Sequence, residues 1–303
     1  MAGEHHNVFT GEYIPIAIKD YTILQGVSQT QTRLYGENMI EGTGVVTMGI
    51  ERYGMTLRDL SITTSNAAAI FSFGVHSCFA QNITIENSTV GRFLFVTGYI
   101  TSTFTLSNIT MQNNIAYFHD YGLRLEGSVI TIDNILMRNN QVPSLPSYWY
   151  QRGCGGFDIY VKDLLTIKNS KFINNTHYSE DGYSNFRVNT LSDLWNSVVT
   201  FDNCMFASNF AYGGVRDIRF VNIDVLNLIN CTFANNINNY TDYLYISSES
   251  TSIVNCLFSN NNSYYEIRSN NNTLVENSLF SRSNNIWRTY NGEPLNWGQF
   301  NLV

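Results

Sequence analysis

The chain has 303 residues, 44% of them hydrophobic and only 14% charged, with a formal net charge of −7. That is enough apolar material for a large core, and the acidic balance excludes an electrostatic footprint for nucleic acid or an anionic membrane. No apolar run reaches the roughly 18 residues that cross a bilayer as a helix, so no membrane insertion by this segment is expected.

Residues 1–54 open with MAGEHHNVFTGEY, which lacks the basic start and apolar core of a secretory signal; the chain is read as a mature protein or a piece of a longer one. Its repeat signature is weak there, and N-terminal coils or a cap are expected. From residue 55 to 283 one phrase returns: ITIDNILMRNN at 130, LTIKNSKFINN at 165, VTFDNCMFASN at 199 and LNLINCTFANN at 226. Aligned on its central asparagine, the column reads Asn87, Asn108, Asn134, Asn169, Asn203, Asn230, Asn255 and Asn277, with Asp59 as an earlier member. Three residues on, it reads Ile62, Val90, Met111, Met137, Phe172, Phe206, Phe233, Phe258 and Phe280. Period-two alternation on both sides of the asparagine predicts two short strands joined at a bend.

The spacings, about 21 to 35 residues, lie in the range of solenoids. A strand pair cannot bury its apolar face alone, whereas parallel neighbours stacked about 4.8 Å apart bury it continuously. The pattern therefore predicts an all-β, right-handed parallel β-helix solenoid of about ten coils, one domain over 1–303, with Asn and Phe ladders. Asparagine suits the bend because it tolerates left-handed backbone geometry and its amide can bond the next coil. A second ladder is expected at Asn114, Asn140, Asn175, Asn209, Asn236 and Asn261. Residues 284–303, with Trp287, Pro294 and Trp297, break the pattern and are read as a C-terminal cap or docking tail.

FASNFAYGGV at 206–215, with FINN at 172, FANN at 233 and FSNN at 258, resembles the F-x-x-N and G-G-A-I repeats of polymorphic outer-membrane-protein-type surface β-helices, pectin-lyase-like in fold. The resemblance implies a secreted adhesin or surface scaffold. The second half of the repeat returns only loosely, as GCGGFDI at 153.

Cys204, Cys231 and Cys256 follow the ladder asparagine on three successive coils, and alternation turns them inward as small core residues. One adjacent pair lies within disulfide reach, but Cys78 and Cys154 have no mates, so neither a disulfide framework nor a zinc site is expected. Eight N-x-S/T sequons occur, at 82, 87, 108, 174, 230, 239, 261 and 271. Asn87, Asn108 and Asn230 are assigned to an inward ladder. Glycosylation is therefore expected at the turn positions Asn82, Asn174, Asn239, Asn261 and Asn271, on an extracellular or cell-surface protein.

The N-T-D, D-D, G-H-G and R-I-K signatures of galacturonase-type β-helices are absent. The outward column before the asparagine (Arg58, Glu86, Ser107, Asp133, Lys168, Asp202, Ile229, Val254, Glu276) mixes charges and gathers no calcium ligands. No cofactor, metal or catalytic residue is expected. His5–His6, His76 with Cys78 and His119 with Asp120 read as ordinary residues, and Glu180–Asp181, Asp158 and Asp163 beside Lys162 read as solvated carboxylates. A threonine column (Thr56, Thr84, Thr105, Thr131, Thr166, Thr200) is what a solvated strand face favours.

The two longest intervals, 35 and 34 residues, run from Asn134 to Asn169 and from Asn169 to Asn203, so the connections 141–157 and 176–197 should lie side by side. Tyr148, Trp149, Tyr150, Tyr178, Tyr183 and Trp195 there offer aromatic faces to a sugar or a protein, or else pack the connections down. The main expectation is a non-catalytic extracellular structural glycoprotein, an adhesin or filament building block. It would associate with itself or other surface proteins through open sheet ends. The alternative is a carbohydrate-active enzyme, a polysaccharide lyase or glycoside hydrolase, using the groove beside those connections. Such an enzyme should bring two carboxylates, or a carboxylate and a Lys or Arg, to one place.

Overall fold

The computed structural model describes residues 3–6, 16–36, 44–48, 51–65, 68–90, 94–116, 121–143, 154–178, 184–190, 196–212, 217–238, 242–263, 265–269, 272–281, 287–289 and 296–297. The regular structure of these residues is all strand, gathered into parallel sheets of 23 and six strands. One coil shows the plan: Val198–Asp202, a bend at Asn203, Met205–Ala207, a second bend at Ser208, then Phe210–Tyr212. Each segment pairs in parallel with its equivalents on the coils before and after, as in Leu165–Val199–Leu226–Thr251. The chain is a parallel β-helix.

Alternation decides which side chains enter. Leu165, Ile167, Val199, Phe201, Leu226 and Leu228 are fully buried, and the residues between them face out. Phe172, Phe206, Phe233, Phe258 and Phe280 stack in register. Their ring centroids are 4.6, 5.3, 4.7 and 4.8 Å apart, and adjacent planes lie within 18° of parallel. Each such pair adds about 0.5–1.5 kcal/mol to the burial of the rings.

Among the described residues nineteen non-glycine residues have positive φ, and fifteen of these are asparagine. The left-handed bend is therefore the reason for the asparagines, since bulkier side chains crowd the following carbonyl there. The structure contains three ladders where two were expected. The first runs Asp59, Asn82, Asn108, Asn134, with amide bonds of 2.7, 2.9 and 2.8 Å, and continues through Asn169, Asn203, Asn230 and Asn255. The second, five residues on, is Asn87, Asn113, Asn139, Asn174, Ser208, Asn235 and Asn260, all with positive φ. The third, Asn114 to Asn261, is the buried one. From Asn114 to Asn236 each Nδ2 bonds the next coil's asparagine Oδ1 and the previous coil's main-chain oxygen: Asn209 reaches Asn236 at 3.0 Å and Phe172 O at 2.9 Å.

Two sequence expectations are corrected by this arrangement. The coil at 78–90 is shifted by five residues: Ile83 pairs with Ile109 and Ile85 with Met111. Asn82, not Asn87, therefore sits beneath Asn108, Ile85 replaces Val90 beside Met111, and Phe79 replaces Thr84 in the threonine column, next to Thr105. The second correction concerns direction. Asn87, Asn108 and Asn230 are exposed, whereas Asn261 is buried with its amide bonded to Phe233 O and Glu266. A left-handed residue at a convex corner throws its side chain outward, and the residue after the second bend turns in.

Cys204, Cys231 and Cys256 are buried free thiols that donate to main-chain oxygens of their own and the preceding coil, as at Ile167 O and Asp202 O for Cys204. Their serine counterparts Ser170 and Ser278 make the same bond two residues back, whereas Ser88 stands in the column of Asn114 and has no place beside the thiols. Hydrogen bonding to Cys231, then burial, raises the Cys204 and Cys256 thiols, and the same bonds lower Cys231.

Candidate functional site

Tyr121–Arg138, Cys154–Lys168, Phe186–Thr190, Ile218–Ile229, Asp242–Val254 and Tyr265–Ser269 lie on successive coils. Their register sets Arg124, Asp158, Arg187, Arg219, Tyr245 and Arg268 in one column, with Glu126, Tyr160, Asn189 and Val221 two residues along. The intervening Leu123, Leu125, Phe157, Ile159, Phe186 and Val188 are buried in the core, so by alternation both columns face outward.

Arg187 holds Asp158 through both oxygens, Nε to Oδ1 at 2.6 Å and Nη2 to Oδ2 at 2.8 Å. Arg124 approaches Oδ2 at 3.6 Å and donates through Nε to Glu126 at 2.8 Å. Both guanidinium carbons stand 5.1 Å from the Tyr160 ring centroid, and Arg187 also donates to the Tyr160 hydroxyl. Asp158 is 0% exposed, not solvated as the sequence implied. Burial raises its pKa, against the hydrogen bond and charge of Arg187. Glu126 keeps 21% of its side chain exposed and Arg124 keeps 22%. The cluster thus joins a locked ion pair to a carboxylate that water or a ligand can reach.

On the smaller sheet Tyr178, Phe210 and Tyr212 form an outward aromatic group, with centroids 5.5, 5.8 and 6.3 Å apart and Tyr212 49% exposed. Tyr178 and Tyr212 end strands whose connections lead into the arginine-bearing strands. Of the aromatic residues singled out in the sequence, Tyr178 is here; Tyr148, Trp149, Tyr150, Tyr183 and Trp195 lie outside the described residues. Phe210, Tyr212 and the whole arginine column were not read from the sequence. Tyr212 could have been found from its register with Tyr178; the arginines give no motif signal.

Asn82 and Asn174 sit on exposed-edge ladders and donate to Asp59 and Asn139. Asn239 and Asn271 lie outside the described residues, as do Glu180–Asp181 and His119–Asp120. His76 stacks on Tyr53 at 4.1 Å, Cys78 is buried in the column of Met55 and Phe104, and no group of three or more metal-ligating side chains occurs among the described residues.

A second unforeseen feature lies inside. Asn185, Asp217, Tyr243 and Glu266 precede the paired residues Phe186, Ile218, Leu244 and Ile267 and form a buried polar column. Asp217 is fully buried with Asn185 as its polar neighbour but no well-formed hydrogen bond to either carboxylate oxygen, and burial, outweighing the contact with Asn185, lifts its pKa to about 7. The Tyr243 hydroxyl is likewise unbonded, and its pKa is raised by burial and by Asp217 and Glu266. His177, fully buried on the smaller sheet, is held neutral by desolvation, with a pKa of about 3.

No protein-family model matches the chain, and no curated protein does. Among solved structures it is similar to the catalytic domain of a GH87 alpha-1,3-glucanase. Two variants of that domain in complex with nigerose give TM-scores of 0.48 and 0.45 at 14% identity, and a complex with tetrasaccharides gives 0.38 at 15%. Each comparison covers 99% of this chain, which spans 63% of the length of those structures.

Proposed function

We propose that the protein is carbohydrate-active, of the glycoside hydrolase class, and lays a polysaccharide across the outward face at Arg124, Glu126, Asp158, Tyr160 and Arg187. The observation that carries this reading is the meeting of two carboxylates, two guanidiniums and a tyrosine on three adjacent coils. Glu126 and Asp158 are diagonal neighbours about 8 Å apart at Cα, from coil spacing and strand rise. Glu126 is the group with access to exchange a proton with a glycosidic oxygen or a water. Asp158 holds Arg187, and with it Tyr160, in place for the sugar hydroxyls. Tyr178 and Tyr212 supply ring faces for stacking, and such a polymer would be met outside the cell.

The test is a panel of soluble α- and β-glucans and uronans, read by new reducing ends and by co-sedimentation. Glu126→Gln should abolish cleavage and keep binding, and Tyr178→Ala with Tyr212→Ala should weaken binding. Failure of the wild type to bind any member refutes the proposal. The bidentate hold of Arg187 on Asp158 favours a second reading, a non-catalytic surface or adhesive protein, because it removes one carboxylate from acid–base work. Binding without any cleavage would select that reading.

A further inference from the structure

Two bends near the start of the helix break the rule that the others keep. Asparagine fills most of the left-handed positions, but Tyr21 at φ 53° and Glu51 at φ 57° stand in two of them. The register of Ile23 with Thr56 sets Tyr21 opposite Gly54, itself left-handed at φ 61°. Glycine is therefore what the same bend takes one coil later. A bulky side chain in that region strains the backbone, and strain that a fold keeps points to a use.

The strained bend holds an aromatic ring in water. Tyr21 is 77% exposed, and its ring rests against Gly54, where a Cβ would stand 2.6 Å from Cδ1 and 3.0 Å from Cε1. On the next coil the exposed Tyr53 lies flat on the His76 imidazole, with 5° between the planes. Next to both rings Asp20 and Arg52 approach to 3.6 Å, each side chain 39% exposed, and Asp20 Oδ1 accepts from the Tyr53 main-chain nitrogen at 3.1 Å. An ion pair so exposed adds little stability. Together these groups match a sugar ring, whose C–H faces lie on aromatic rings and whose hydroxyls need acceptors and donors at the rim. The charges of Asp20 and Arg52 offset each other, which suits a neutral unit better than an ion.

The platform also lies on the path of the charged cluster. Ala17, Thr47, Phe71, Phe95 and Arg124 follow one another in register on successive coils. His76, Tyr53 and Tyr21 follow Phe71, Thr47 and Ala17 on their coils, so they stand two to four coils from Arg124, about 10–19 Å along the axis. One polymer chain can span that distance.

We infer that Tyr21 and Tyr53, with Asp20 and Arg52, form a second sugar-binding subsite, for a neutral unit of the polysaccharide laid across Arg124 and Glu126. The inference rests on the carbohydrate reading above and adds a grip on the same polymer away from the cluster. The experiment is affinity electrophoresis of the intact protein in dextran, laminarin and polygalacturonate, comparing wild type with Tyr21→Asn, Tyr21→Phe and Tyr21→Asn/Tyr53→Ala. Asparagine tolerates the left-handed bend, so Tyr21→Asn should unfold at a urea concentration no lower than the wild type's. It should nonetheless bind the neutral glucan that retains the wild type about 3- to 10-fold more weakly, and the double variant more weakly still. Tyr21→Phe keeps the ring and should restore the retention that Tyr21→Asn loses. A double variant retained like the wild type, or wild-type retention in polygalacturonate alone, overturns the subsite and leaves the carbohydrate reading standing. Sedimentation velocity showing a wild-type dimer that Tyr21→Asn abolishes also overturns it, since a second copy would then cover the rings. Wild-type retention in none of the three polymers overturns both.

Discussion

Replacing Asp217 with asparagine should stabilise the protein at neutral and alkaline pH and flatten a pH dependence that the native chain carries. The carboxyl is wholly buried beside Asn185, Tyr243 and Glu266, and burial lifts its pKa from 3.8 to about 7. The folded state therefore keeps a proton that the unfolded state releases above about pH 4. A pKa raised on folding means that stability falls as pH rises from the unfolded value to the folded one, and is level outside that window. At about 1.4 kcal/mol per unit, the loss across the window is at most about 4 kcal/mol. Asparagine keeps the shape, cannot ionise and leaves that loss out. Urea unfolding followed by far-UV circular dichroism between pH 4.5 and 8 tests it. The two proteins should be close at pH 4.5, and the variant should lead by about 2–4 kcal/mol at pH 8. Parallel curves across the range would mean that Asp217 is ionised in the folded protein, and the burial argument would be wrong.

Asn209→Ala removes a buried amide that serves Asn175, Asn236 and Phe172 O; the orphaned groups should cost about 2–4 kcal/mol. Asn203→Gly, at φ 53° on the exposed ladder, should cost under about 1 kcal/mol by the same urea assay. Arg187→Gln strands the buried Asp158 charge, and a loss of about 3–5 kcal/mol is expected, recovered in large part in the double variant with Asp158→Asn. Expressed in a glycosylating secretory host, the chain should carry no sugar on Asn261, whose side chain is sealed in the core; glycopeptide mass spectrometry showing one there would contradict the inner ladder.

The repeating phrase alone determined the coil. Period-two alternation around an asparagine, returning at solenoid intervals, leaves parallel stacking as the way to bury a continuous column such as Phe172 to Phe280. Those rings do stack, because like residues in equivalent positions must meet when coils repeat. Which asparagine faces inward was decided by tertiary structure: adjacent residues such as Asn260 and Asn261 share a chemistry and differ only in which side of a bend they occupy. The five-residue shift at 78–90 is hidden in the chain for a related reason, since both arms of a coil read as an apolar alternation ending in asparagine, and only pairing with the next coil chooses between them. The arginine column and the Asp217 column could not be read at all from the chain, because Arg124, Asp158, Arg187, Arg219 and Arg268 fall outside the repeated phrase, behind connections of unequal length. Their alignment exists only once the core strands have fixed the register.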